Sequence, residues 1–352
     1  MSKFSSKLEN NDPIKLELDA LKKRDSLSAR EIQKLNEQVD KLTRTIESSE
    51  QILAQDLHPP TWLAPAKPKK SSATLVVMLS DTHFDEVVVP EEVDFLNAYN
   101  RTIATMRLQK WTENVIKVSR HYLSGVTYDG VFLILGGDIF SGDIHEELHD
   151  TNADTMLGSL LYWSEQLTAS ISLLAEEFGK VHITSVVGNH GRTTRKPRMK
   201  LRVKTNYDWL VTKMIERYFE KDKRVTFQIP EGADSLVSIY GYGQLITHGD
   251  QASGGGGIGG IWPPIMRLKA RKAQRYLATG SNFQTMWCGH WHQLVQTPSL
   301  IINGSLKGVD EYAFINNFSF EQPQQALAVI TPERGITIQA PIFCADRKAE
   351  GW

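Results

Sequence analysis

Apolar and polar positions alternate with two different periods along this chain, helical first and then mixed. Ile32, Leu35, Val39, Leu42 and Ile46 are spaced by threes and fours, which predicts a helix with a heptad seam. Ser28-Ala29-Arg30-Glu31 ahead of it reads as a capping box. Pro13, with Asn11 or Asp12 as cap, opens an earlier helix bearing Ile14, Leu18 and Leu21 on one face. Residues 1–57 have no Gly, and no aromatic residue after Phe4, so they are expected to form a helical extension. It is either a coiled coil pairing two copies through residues 14–53, or a helical hairpin on the main domain. Four prolines between His58 and Lys70 exclude a helix or central strand, so 58–72 is expected to be a semi-rigid linker.

The domain expected over 73–352 alternates strand and helix. Thr74–Ser80 and Val131–Gly136 are apolar runs that stop at polar or glycine residues, as buried strands do. Glu91–Tyr122, Asp150–Phe178 and Asn206–Phe219 read as helices, and Val181–Val187 as a strand. Further strands are expected at Arg224–Ile229, Leu236–Tyr240, Gln244–Thr247, Thr285–Cys288, Ala326–Ile330 and Ile336–Ala340. The class is α/β.

Composition narrows the setting. With 352 residues, 41% hydrophobic and 23% charged, the chain can bury a core, and collagen or wholesale disorder is excluded. The longest apolar runs are too short to cross a bilayer, so no membrane partner is expected. Residues 1–20 lack an apolar signal core, and two cysteines, Cys288 and Cys344, cannot make a disulfide framework. A cytoplasmic location is expected.

The chemistry gathers at strand ends. Asp81-Thr82-His83 follows the first strand, Gly136-Gly137-Asp138 the second, and Gly188-Asn189-His190 the third. His248-Gly249-Asp250 and Gly289-His290-Trp291-His292 follow two later ones. In open α/β sheets, side chains just past the strands' carboxyl ends share one crevice. So many carboxylates and imidazoles gathered without a cation would cost several kcal/mol in unpaired groups. Carboxylate oxygen with imidazole nitrogen suits manganese, iron or zinc, manganese being the expected ion.

This set resembles the calcineurin-like metallophosphoesterase superfamily, whose pattern runs D-x-H, G-D, G-N-H, H and G-H-x-H in that order, here over residues 73–310. The resemblance implies a four-layer αββα sandwich of two mixed sheets flanked by helices. It implies two divalent ions, one held by Asp81, His83 and His292, the other by Asn189, His248 and His290, with Asp138 bridging. It also implies that His190 is the proton donor to the leaving group after a metal-bridging hydroxide attacks phosphorus. Asp250 and Asn303 are expected to orient metal-bound imidazoles.

Departures from the pattern bear on the substrate. The G-D-x-V-D-R-G and G-N-H-E of phosphoprotein phosphatases are absent. Gly137-Asp138-Ile139-Phe140 is closer to double-strand-break repair nucleases (SbcD-like), although Ser141 stands where those carry histidine. His145 is then either a substitute or a surface residue. His248-Gly249-Asp250-Gln251, His290-Trp291-His292-Gln293 and Asn303–Gly308 look like stretches of phosphoesterases encoded by tailed bacteriophages.

Net charge is −1, yet Arg192–Lys204 holds seven Lys/Arg and no acid, and Arg267, Lys269, Arg271, Lys272 and Arg275 form a second acid-free cluster. Arg192, Arg195, Lys196 and Arg271 are therefore the expected contacts to a polyanion, and DNA the expected partner. The expected function is a dinuclear-metal phosphodiesterase, a DNA nuclease. The alternatives are a small-molecule or cyclic-nucleotide phosphodiesterase or phosphatase, and a nucleic-acid-binding protein with a vestigial site. Gly254–Gly259 formally matches a dinucleotide fingerprint but lacks the acidic partner downstream, and reads as a loop beside the metals.

Overall fold

The computed structural model describes residues 21–22, 29–30, 33–38, 40, 60–63, 72–252 and 260–352. The chain divides into two units, Met1–His58 and Pro59–Trp352. In the first, residues 33–38 are helical, and Gln33 Nε2 donates to Glu37 Oε1 one turn on at 3.3 Å. Ser28 and Glu31 of the capping box, the heptad seam apart from Leu35, and most of the expected dimer segment lie outside the described residues, as does Gly254–Gly259.

The second unit contains two mixed sheets. In the larger, β1 (Ser72–Leu79), β2 (Thr127–Leu135), β3 (Val181–Ser185) and β4 (Val225–Gln228) run parallel. β10 (Gln324–Thr331) joins β1 antiparallel and β11 (Gly335–Phe343) forms the edge, giving the order β11-β10-β1-β2-β3-β4. The smaller has the order β5-β6-β7-β9-β8, from β5 (Asp234–Ile239), β6 (Tyr242–Thr247), β7 (Thr285–Cys288), β8 (Val295–Gln296) and β9 (Leu300–Ile302). The helices are α1 (Arg101–Lys117), α2 (Glu146–Thr151), α3 (Met156–Phe178), α4 (Tyr207–Tyr218), α5 (Trp262–Ala278), α6 (Glu311–Ile315) and α7 (Arg347–Glu350).

Strand parity sets the layers. On β1, Leu75, Val77 and Leu79 join a core with Trp111 of α1, Trp163 and Leu167 of α3 and Ile215 of α4. Val76 and Met78 point the other way, to a core with Ile246 and Trp287 of the second sheet. Met286, Cys288 and Ile265 of α5 pack on that sheet's far face. Each fully buried side chain of this size contributes about 1.5–3 kcal/mol. The result is helix, sheet, sheet, helix, with the long apolar runs of β1 and β2 covered on both faces.

Several boundaries differ from expectation. The helix expected over 91–122 starts only at Arg101, because Pro90–Val93 is a 3₁₀ turn and Asp94 and Phe95 have φ of 50° and 56°. Asn100 then caps α1 by accepting the Ile103 N–H at 3.0 Å. The helix expected from Asp150 restarts at Met156, where Thr155 Oγ1 accepts the Gly158 N–H. Within the expected linker, Leu63 is buried between the sheets and its carbonyl accepts the Tyr240 N–H at 2.9 Å. Among the described residues no helix is long and apolar enough to cross a membrane.

Candidate metal centre

The carboxyl ends of β1, β2, β3, β6 and β7 deliver Asp81 and His83, Asp138, Asn189 and His190, His248, and His290 and His292. Backbone hydrogen bonds lace the loops together: Asp81 N–H to the Gly137 carbonyl (3.1 Å), His83 N–H to that of Asp138 (3.1 Å), Gly289 N–H to that of His248 (2.8 Å). Three groups of donor atoms result, each within 4.8 Å of one another: Asp81–His83–His292, Asp138–His248–His290 and, between them, His83–Asp138–His190.

The glycines of the motifs permit the approach. A Cβ on Gly188 would lie 2.0 Å from Asp138 Oδ1, and one on Gly289 would lie 2.2 Å from Asp81 Oδ2. Each carboxylate nests on such a loop and takes an amide within two residues of the glycine: Asp138 Oδ1 accepts the His190 N–H and Asp81 Oδ1 the His290 N–H, both at 2.7 Å. Asp81, His83, Asp138, His290 and His292 all have positive φ, from 43° to 72°. Each such residue costs about 1–3 kcal/mol, and strain of this kind concentrates at functional sites.

The arrangement fits cations. His248 Nδ1 donates to the Gly136 carbonyl at 2.9 Å, so Nε2 is the nitrogen left to face the site. That nitrogen stands 2.9 Å from Asp138 Oδ2, so either a proton or a cation has to lie between the two. His83 Nε2 and His292 Nε2 are 3.1 Å apart, and His292 Nε2 is 3.5 Å from Asp81 Oδ1. Asn189 Oδ1 is buried with no partner among the described residues. A positive charge between these atoms relieves all three conflicts. Burial, with the charges of Lys307 and His190, lowers His83 to about 4; burial and His248 do the same to His290, and ligation needs neutral imidazole. His248 is pushed up to about 10: burial opposes this, but the Asp138 carboxylate prevails, so the position attracts positive charge.

Supporting residues were mostly invisible in the motifs. Behind His83 lies Glu86, its Oε2 3.3 Å from His83 Nδ1 and its Oε1 2.7 Å from buried Lys307 Nζ, which also meets Asp310. Asn303 does not orient an imidazole as expected; its Nδ2 donates to Ser80 Oγ at 2.9 Å, and that hydroxyl donates to Asp81 Oδ2. Nor does Asp250 touch an imidazole. The Arg202 guanidinium holds both its oxygens, at 2.9 and 2.8 Å, because the long arginine reaches the loop first.

One carboxylate was missed altogether. Buried Asp208, in the first turn of α4, accepts three backbone N–H bonds from two ligand loops: Asp138 at 3.0 Å, Ile139 at 3.2 Å and Gly188 at 2.9 Å. Burial, and then the charge of Asp138, raise it to about 6. The only signal in the sequence is Asn206, two residues earlier, whose Oδ1 accepts the Asp208 N–H and whose Nδ2 donates to the Gly188 carbonyl.

His190 donates from Nδ1 to the Ser141 carbonyl at 2.9 Å, which leaves Nε2 free. His145 is exposed, its ring centroid 5.8 Å from that of His190. Arg192 turns inward, donating to the carbonyls of Asn189, Thr194 and Arg195, so it braces the ligand loop and offers less to a substrate than expected. Arg195, Lys196 and Arg271 are exposed. Within the second cluster, Lys272 and Arg275 share one counter-charge, both pairing with Asp234.

No protein-family profile matches this sequence, and no curated protein matches it. Among solved structures 13 chains match. One is wild-type Vps29 from Entamoeba histolytica complexed with zinc, 11% identical over 76% of this chain and 99% of that one, with a TM-score of 0.31. Another is the sulfate thiohydrolase SoxB of Thermus thermophilus in complex with glycerol, 10% identical over 78% of this chain and 56% of that one, with a TM-score of 0.29. Superpositions at these scores establish no shared fold.

Proposed function

We propose that the chain is a two-metal phosphodiesterase of the calcineurin-like metallophosphoesterase superfamily, acting on DNA. The observation that carries this is the meeting of the Asp81–His83–His292 and Asp138–His248–His290 groups at His83, Asp138 and His190. Asp81, His83 and His292 would hold one divalent ion, Asn189, His248 and His290 the other, with Asp138 between; manganese suits the donors. When bound, such ions supply Lewis acidity to a phosphoryl group and acidify an attacking water.

The chain's own residues do the rest. His190, fixed through Nδ1 on the Ser141 carbonyl, turns Nε2 toward the site and delivers the proton that a leaving alkoxide needs. Asp208 and the glycines hold the ligand loops at close range. Exposed Arg195, Lys196, Arg198 and Lys200, with Arg267 and Arg271, make no ion pair among the described residues and remain available to a polyanion. Both basic segments are tied to the loop after His248, through Arg202 to Asp250 and Lys272 Nζ to Gln251 Oε1 at 2.7 Å. That placement supports DNA over a small phosphoester. Labelled single- and double-stranded DNA with manganese tests it: cleavage that disappears in Asp138→Ala is expected, and DNA left intact over a wide enzyme excess overturns it.

A further inference from the structure

We infer that Glu86 is a positioning residue that fixes the imidazole proton of His83 on Nδ1 and so aims the Nε2 lone pair at the metal position; that an ion takes this lone pair rests on the two-metal reading above. Glu86 Oε2 and His83 Nδ1 lie 3.3 Å apart, both buried, and neither has another hydrogen-bond partner among the described residues. A carboxylate can only accept, so the nitrogen that faces it carries the proton. The opposite nitrogen, Nε2, is the one that meets His292 in the Asp81–His83–His292 group.

Glu86 is held so that it has little else to offer. Its N–H donates to the His83 carbonyl at 3.1 Å, which sets the two side chains on one turn. Its other oxygen, Oε1, accepts from Lys307 Nζ at 2.7 Å. Lys307 is itself buried and also donates to Asp310, whose second oxygen accepts the Ala313 N–H at 2.7 Å in α6. The Lys307 carbonyl is pinned by Asn97 Nδ2 at 2.9 Å and by buried Arg107. Two carboxylates share one ammonium here, so a negative charge remains beside His83. A carboxylate in that place orients a metal-binding imidazole and makes its free nitrogen more basic. Backbone carbonyls, of Gly136 and Ser141, hold Nδ1 of His248 and His190. His83 is held by a side chain instead, so a substitution can move its proton.

Glu86→Gln tests this. Lys307 has only protons to give, so it keeps the glutamine oxygen and turns the NH₂ toward His83 Nδ1, which must then accept. Nitrogen-15 NMR spectra of the metal-free full chain at pH 8 report the tautomer, the His83 signals being assigned by their loss in His83→Ala. The proton is expected on Nδ1 in wild type and on Nε2 in Glu86→Gln. Manganese titration followed by electron paramagnetic resonance should show one ion bound about 10–100-fold more weakly in Glu86→Gln. A wild-type His83 with its proton on Nε2 overturns the inference, as does a proton that stays on Nδ1, or a manganese affinity that stays unchanged, in Glu86→Gln. Wild type that binds no manganese, or leaves bis-p-nitrophenyl phosphate intact, would count against the two-metal reading alone, because the tautomer is read without metal or turnover.

Discussion

Asp208→Asn separates a residue that holds the metal loops from one that merely fills space. Asp208 Oδ2 takes the Asp138 and Gly188 amides at 3.0 and 2.9 Å, while Oδ1 takes only that of Ile139 at 3.2 Å. Asparagine keeps one oxygen, which can serve the first pair, and turns its NH₂ against the Ile139 N–H. One buried donor is stranded, at a cost of roughly 1–3 kcal/mol. Asp208→Ala strands all three donors, roughly 3–9 kcal/mol as an upper bound by the same measure, against a typical total stability of about 5–15 kcal/mol. The asparagine variant is therefore the one expected to fold. It should also bind manganese about 10–100-fold more weakly, the usual penalty for losing a residue that positions ligands. Electron paramagnetic resonance of free manganese during titration measures that affinity, and urea unfolding without metal measures the stability loss. Asp222→Asn, at a half-buried carboxylate paired with Arg224, is the control. Wild-type manganese affinity in a destabilised Asp208→Asn protein would refute the positioning role.

Three further outcomes are expected. Burial lowers His182 from the ordinary imidazole value of 6.5 to about 4. Its unfolded form takes up a proton first, so stability is full above pH 6.5 and falls as pH drops toward 4, by roughly 3 kcal/mol in all; the stability lost between pH 7.5 and 4.5, measured by urea unfolding, should be smaller in His182→Gln than in wild type, and an equal loss would contradict the assignment. Gly188→Ala should abolish manganese binding, since its Cβ meets Asp138 Oδ1, whereas Gly232→Ala, with nothing within 4 Å, should leave binding intact by the same titration. His190→Ala should retain both metals by elemental analysis while turnover of bis-p-nitrophenyl phosphate drops by about two to four orders of magnitude; metal loss in that variant would contradict its role as proton donor.

The strand ends were legible because the buried runs are long and end abruptly: Leu79 gives way to Ser80-Asp81, and Leu135 to Gly136-Gly137-Asp138. β8 and β9 were not, being two and three residues long and separated by Thr297-Pro298-Ser299. Missing β9 hides the fact that Asn303 also stands at a strand end, which is why its partner is Ser80 and, through it, Asp81. The lapse of helix before Arg101 turns on positive φ at Asp94 and Phe95, which neither residue type announces. Glu86 and Asp208 were hidden for another reason. Their partners are 221 positions away for Glu86 with Lys307, and 70 for Asp208 with Asp138, and no local period encodes such pairings. Charge runs were readable as composition only. The inward turn of Arg192 and the pairing of Lys272 and Arg275 with Asp234 depend on tertiary placement.

Anomalous diffraction from crystals of the manganese-loaded protein bears on the central claim most directly. Two peaks are predicted about 3.5–4 Å apart, the spacing of two-metal sites. Asp81, His83 and His292 should surround one, Asn189, His248 and His290 the other, and Asp138 should touch both. A single peak, peaks away from these side chains, or no peak at saturating manganese would contradict it.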